Sequence, residues 1–271
     1  MRHPMPKTPT DGHIVICADD YGAEAAGDGV ILALLGQGAL DATTCLVGAP
    51  DWGRSAPALR ELAAGGDIAV GLHLNLTQTW SQGEGGSPFA PIRAHVARAL
   101  FPVDAKLESA MLGAFERQWE AFGEAMGRAP DFMDGHEHVH LFPAARGALW
   151  GLCARMHFSG WVRQCRTSSR RRSAKRLVLD PFSDAFARAA ARRNIRFNSG
   201  FGGLRRFDPA EDIGAIWRED LAAMTGGGVL MVHPGAPSGG RAGECRAQEA
   251  ALLTSGWMAR TLGELGRASL D

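Results

Sequence analysis

The feature that most constrains this chain is a repeated alternation of short apolar runs with longer amphipathic ones. Ile14–Ala18 (IVICA) is compact and β-branched, without the polar alternation of a half-exposed strand, which marks a strand buried on both faces. Further strands are predicted at Thr43–Val47, Ile68–Leu74, Pro130–Met133, Trp161–Arg163, Ile195–Phe197 and Val229–Val232. Helices are predicted at Gly29–Leu35, Pro57–Ala64, Asp104–Arg128, Pro143–Met156, Asp184–Arg193, Pro209–Met224 and Glu244–Leu265. The clearest is Asp104–Arg128, where Leu107, Met111, Phe115, Phe122 and Met126 share one helical face.

Strand–helix alternation implies parallel strands joined by crossover helices. About seven such units compare with the eight of a regular barrel. The expected fold is therefore α/β, a distorted or incomplete (β/α) TIM-like barrel of about seven parallel strands. An open doubly wound sheet is the alternative. No repeat or linker divides the sequence, so residues 1–271 are expected to form a single domain, with 1–12 as an N-terminal tail.

Two stretches break the rhythm. Thr77–Val103 is rich in Gly, Ser and Pro and reads as a long loop leaving the third strand, expected to act as a lid. Residues 166–176 (RTSSRRRSAKR) carry six basic side chains and no acid. The plain reading is a solvated loop; the sharper one is a patch for an anionic group on a ligand.

Composition excludes several classes. The 271 residues include 29 basic and 29 acidic side chains, a net charge of zero, which argues against a nucleic-acid partner held by bulk electrostatics. The apolar runs are too short to span a bilayer. The segment MRHPMPKTPTDGH has no apolar secretory core. Cys17, Cys45, Cys153, Cys165 and Cys245 form no CxxC pair and read as reduced thiols in a cytoplasmic protein.

Chemistry-bearing residues gather where strands end. Asp19 and Asp20, in ICADDYG, set two carboxylates side by side, which is unfavourable unless a cation or proton neutralises them. They could supply a metal ligand and a nearby base, or cap a turn. His73, in VGLHLNLT, sits among apolar residues, as a core histidine or a ligand. Asp134–His140 (DGHEHVH) sets His136, His138 and His140 at alternate positions. In extended backbone these share a face at a spacing of roughly 6–7 Å, so that one or two could reach a metal and neighbours could bind substrate. His233, in VLMVHPGAP, ends the last strand. In a (β/α) barrel such ends converge on the face that carries the active site.

ADDYG, GLHLNLT, DGHEHVH and HPG, in this order and spacing, resemble the YdjC-like carbohydrate deacetylases, a family with chitooligosaccharide and hopanoid-biosynthesis branches. The resemblance runs from Ile14 to the last helix and implies a distorted (β/α) barrel that hydrolyses an N-acetyl group from a sugar. It implies a divalent metal on Asp20, His73 and His136, with Asp19 as catalytic base. Magnesium or zinc would suit this set, and manganese or cobalt are alternatives. His233 is the candidate acid for the leaving nitrogen, with His138 or His140 in reserve. Asp134 could accept an N–H from a ligand histidine, and Arg163, like Asp134, His138 and His140, is a candidate either to touch substrate or to support the groups that do. The family also implies a homodimer. Tyr21 stands where the family usually has Phe. A phosphoesterase on the same constellation and a catalytically silent sugar-binding protein are the competing functions.

Overall fold

The computed structural model describes residue 9 and residues 13–78, 88–171, 173–224 and 226–266. Most of the expected N-terminal tail, and the Ser81–Ser87 stretch of the expected lid, lie outside the described residues. The chain runs β1 (Ile14–Tyr21), α1 (Ala25–Gly36), β2 (Ala42–Cys45), α2 (Trp52–Ala63), β3 (Ala69–Leu74), α3 (Ile92–Arg98) and α4 (Ala105–Met126). It continues through β4 (Phe132–Gly135), a 3₁₀ turn (His136–Leu141), α5 (Pro143–Arg155), β5 (Trp161–Val162), α6 (Ala174–Ala191) and β6 (Arg196–Phe197). It ends with β7 (Phe201–Gly202), α7 (Ile213–Ala223), β8 (Gly228–Val232), α8 (Gly240–Thr254) and α9 (Trp257–Glu264).

Among the described residues eight strands all pair in parallel, in the order β6-β5-β4-β3-β2-β1-β8-β7. This is the cyclic order of a barrel opened at one seam, because no described pairing joins β6 to β7. The incomplete barrel expected from the alternation is thus present, with one strand more than anticipated. β7 was not foreseen because two residues carry no readable period.

The central strands β1, β2, β3 and β8 are buried along their whole length. That follows from their place in a parallel sheet covered on both faces, and it explains their apolar runs. On α4, Met111, Phe115, Phe122 and Met126 enter the core. Asp104 caps its start by accepting from the Lys106 N–H, and left-handed Gly127 closes its end.

Several elements differ from expectation. The stretch read as a loop over Thr77–Val103 contains α3, whose Ile92 and Val96 line the cavity described below. Among its described residues the basic segment is a loop up to Ser173, with Arg166, Arg170 and Lys175 exposed, but it is not left to solvent alone. Ser173 caps α6 inside it, Arg166 and Arg176 pair with Asp184 and Asp180 of α6, and Arg171 approaches Asp220 of α7. Its acidic partners lie outside the segment, where a local reading does not look. The closing helix is two helices, broken where Gly256 adopts φ 70°.

Candidate metal centre and active site

Asp19 and Asp20 lie near the C-terminal end of β1, and the pairing of the strand is irregular there. Between the partners Ala18↔Thr43 and Tyr21↔Cys45, β1 advances three residues while β2 advances two. Asp20 carries the departure, with φ 70°, a left-handed conformation that Asp tolerates better than most residues. Neighbouring strand residues normally face opposite ways. The bulge cancels that alternation, and both carboxylates line one cavity of about 550 Å³ at the C-terminal ends of the strands. Tyr21 then turns back into the core, where its hydroxyl donates to the Ser55 carbonyl at 2.8 Å. The Tyr-for-Phe difference is thereby satisfied.

The two carboxylates have separate partners. Asp19 accepts from Arg163 through both oxygens, at 2.6 and 2.8 Å, with the Thr44 hydroxyl 3.3 Å from Oδ1. Arg163 also pairs with Asp134 at 2.8 Å, and all three side chains are buried. Burial pushes the Asp19 pKa up, but Arg163, His73 and His233 together outweigh it and hold it at about 2. Asp20 instead points Oδ1 at His136 Nδ1, 3.0 Å away, and at His73 Nε2, 3.5 Å away. Its Oδ2 accepts from Arg246 at 2.9 Å.

His73 ends β3 under tight local control. Its Nδ1 lies 2.6 Å from Asp134 Oδ1, and since a carboxylate only accepts, Nδ1 donates and Nε2 is the nitrogen that faces Asp20. The strand stops just beyond it because Gln118 of α4 binds both backbone groups of Asn75, while the Asn75 side chain accepts from Thr77 and Gln78 N–H. Burial opposes charge on His73, yet the surrounding carboxylates, Asp134 first, raise its pKa to about 9. That value records an excess of negative charge at the centre.

DGHEHVH does not form an extended face. After β4 the backbone folds into the 3₁₀ turn, with Glu137 and His138 both left-handed at φ 51° and 61°. His136 and His138 reach the cavity, and His140 does not. His140 is fully buried, with Nε2 2.8 Å from the Arg163 carbonyl. Gly135 is needed for this fold-back, because a Cβ there would stand 2.8 Å from His140 Nδ1. His140 is therefore withdrawn from the reserve acids, since it supports Arg163 from behind. Arg163, Asp134 and His140 form a layer beneath the cavity, the supporting place that was one of the two expected for them.

His233 follows β8 and lines the same cavity, its ring edge-on to Phe207 at 5.0 Å. Its backbone N–H donates to Glu249 of α8, which also accepts from Arg205 Nε at 2.7 Å. Burial lowers the His233 pKa against the pull of Asp20 and Asp19. Glu249 and Arg246 were missed by sequence reasoning. Glu249 has a readable signal, because it stands between Cys245 and Leu253 on the buried stripe of α8. Arg246 has none.

Among the described residues, two sets of donors come within reach of one cation: Asp20, His73 and His136, and Asp19, His73 and Asp134. In the second set both carboxylates are already neutralised by Arg163, and His73 meets Asp134 through a protonated nitrogen. The first set offers one carboxylate oxygen and two imidazole nitrogens; Arg246 pairs with Asp20 only through Oδ2 and leaves Oδ1 facing both histidines. This set fits a divalent ion.

Fold and site together define an opened α/β barrel with an Asp–His–His centre at its strand ends and an Asp–Arg pair beside it. The chain belongs to the YdjC-like protein family, whose model matches residues 13–264. It is 30% identical over 268 residues to a carbohydrate deacetylase of Mus musculus, covering 86% of this chain and 81% of that one. It is 30% identical over 137 residues to a chitooligosaccharide deacetylase of Proteus mirabilis, covering 48% and 50% of the two chains. A solved structure from Enterococcus faecalis, described as a cellobiose-phosphate cleavage protein, shares the fold. Its TM-score is 0.67 at 20% identity, over 96% of this chain and 97% of that one.

Proposed function

We propose that this protein is a metal-dependent carbohydrate deacetylase that hydrolyses the N-acetyl group of an amino sugar or oligosaccharide. One observation carries the reading: a single cavity presents Asp20, His73 and His136 as convergent donors and, beside them, Asp19 tied to Arg163. The carbohydrate deacetylases among its relatives supply the substrate class.

Asp20, His73 and His136 would hold the ion, and their two imidazoles favour zinc over magnesium, which prefers oxygen ligands. When bound, the ion supplies Lewis acidity, polarising the amide carbonyl and making water more acidic. Asp19 takes the proton of the attacking water as general base. Arg163 fixes both Asp19 oxygens and keeps the carboxylate ionised at neutral pH. Asp134 holds the His73 tautomer that leaves Nε2 free. His233 protonates the leaving nitrogen; its lowered pKa makes its protonated form a ready donor. His138, on the same cavity, is the reserve acid. All five cysteines are buried and unpaired, which suits a reducing compartment, and we place the protein in the cytoplasm. No described helix is long and apolar enough to cross a membrane.

The test is a panel of N-acetylated sugars incubated with metal-replete protein, measuring acetate beside phosphate. Acetate release should vanish on chelation and return with zinc. Asp19→Asn should keep its metal while the rate falls by about 10²–10⁴, and Asp20→Asn should lose metal and activity together. Phosphate release without acetate, or sugar binding without turnover, overturns the reading.

A further inference from the structure

We propose that Arg246 is a positioning residue that restrains Asp20 to face the cation through one carboxylate oxygen. The inference rests on the metal reading above. Asp20 Oδ1 points to His136 and His73, while Oδ2 accepts from Arg246 Nη2 at 2.9 Å. With Oδ2 occupied, the ligand set is one oxygen and two nitrogens, and coordination positions stay open for water and substrate. With Oδ2 released, the same carboxylate could chelate through both oxygens and close one of them.

The surroundings of Arg246 place its backbone and stem. Its carbonyl accepts from the Gly235 N–H at 3.1 Å. A Cβ on Gly235 would stand 3.2 Å from Arg246 Cβ and 3.4 Å from Cδ, so the bare glycine makes room for the arginine stem. One turn further along α8, Glu249 holds the His233 N–H. The helix is thus tied to the end of β8 beside both residues of the His233–Gly235 pair. In this arrangement the histidine of HPG faces the cavity and its glycine seats Arg246.

Cobalt(II)-substituted protein reads the coordination directly, because its visible absorption weakens as the coordination number rises. Arg246→Met should bind cobalt with weaker visible absorption than wild type, and kcat should fall by about 10–100-fold with KM unchanged. Arg246→Lys, which keeps the stem and the charge, should fall between the two. Gly235→Ala, which presses on the stem without touching Asp20, should shift the spectrum in the same direction. If Arg246→Met does not fold, these two variants carry the test. A cobalt spectrum unchanged in the folded variants overturns the proposal. A raised KM with kcat unchanged also overturns it, and makes Arg246 a substrate-binding group. Wild-type protein that takes up no cobalt, or takes it up equally well as Asp20→Asn, overturns the metal reading itself.

Discussion

His140 donates through Nε2 to the Arg163 carbonyl and leaves Nδ1 without a partner. Burial pushes its pKa down from 6.5 to about 4, against the pull of Asp134, so the native ring is neutral over most of the acid range. The sign follows from proton binding. Between pH 6.5 and 4 the unfolded chain holds a proton on His140 that the native chain refuses, so stability falls as pH drops through that window. The gap corresponds to about 3 kcal/mol. His140→Gln keeps an amide donor for the carbonyl and removes the titration. Urea midpoints at several pH values from 7 to 4 should therefore fall less steeply in the variant than in wild type. Parallel curves would show that the buried imidazole is not what destabilises the protein in acid.

The turn after β4 shows how one short element distributes three histidines. Glu137 and His138 are both left-handed, a conformation that costs a non-glycine residue about 1–2 kcal/mol. Strain of this kind persists where the surrounding structure over-determines it. Here His136 binds toward Asp20 on one side and His140 is locked under Arg163 on the other. Glu137 is exposed, so Glu137→Gly should relieve the strain and leave stability unchanged or slightly higher. The same exchange at exposed Glu120, inside α4, should cost about 1 kcal/mol, because a helix interior penalises glycine. Thermal midpoints of the pair check it, and an equal loss in both would mean that the turn stores no strain.

For the whole molecule, one buried cluster extends from β1 to α9 and includes residues from nearly every strand. We propose that the chain is a single domain, and it should unfold in one calorimetric transition. The open seam between β6 and β7 lies away from the metal donors, which sit on β1, on β3 and just after β4. Arg163 and Arg246 already balance part of the charge at the centre, so chelation should leave the fold intact. Adding zinc at about 100 times its dissociation constant should stabilise the protein by about 3 kcal/mol. Titrating zinc into chelated protein and following the melting temperature measures this. Two resolved transitions would refute the single domain, and an unfolded apo-protein would refute the charge balance.

The sequence by itself determined where polar groups interrupt buried strands. Asp19, Asp20 and His73 stand out because parallel strands covered on both faces admit few charges, and His136 stands out at the end of another such strand. The alternation of elements was legible for the same reason, and it led to an incomplete barrel. Tertiary structure alone decided how those groups divide the work. Asp19 and Arg163 are 144 residues apart, and Asp20 and Arg246 are 226 apart, so nothing local pairs them. The choice of His136 over His140 turned on two left-handed residues without a glycine to announce them. That Asp19 and Asp20, neighbours in a strand, line one cavity turned on one extra residue in β1. Periodicity reports which face of an element is buried; it does not report which distant side chain that burial brings against it.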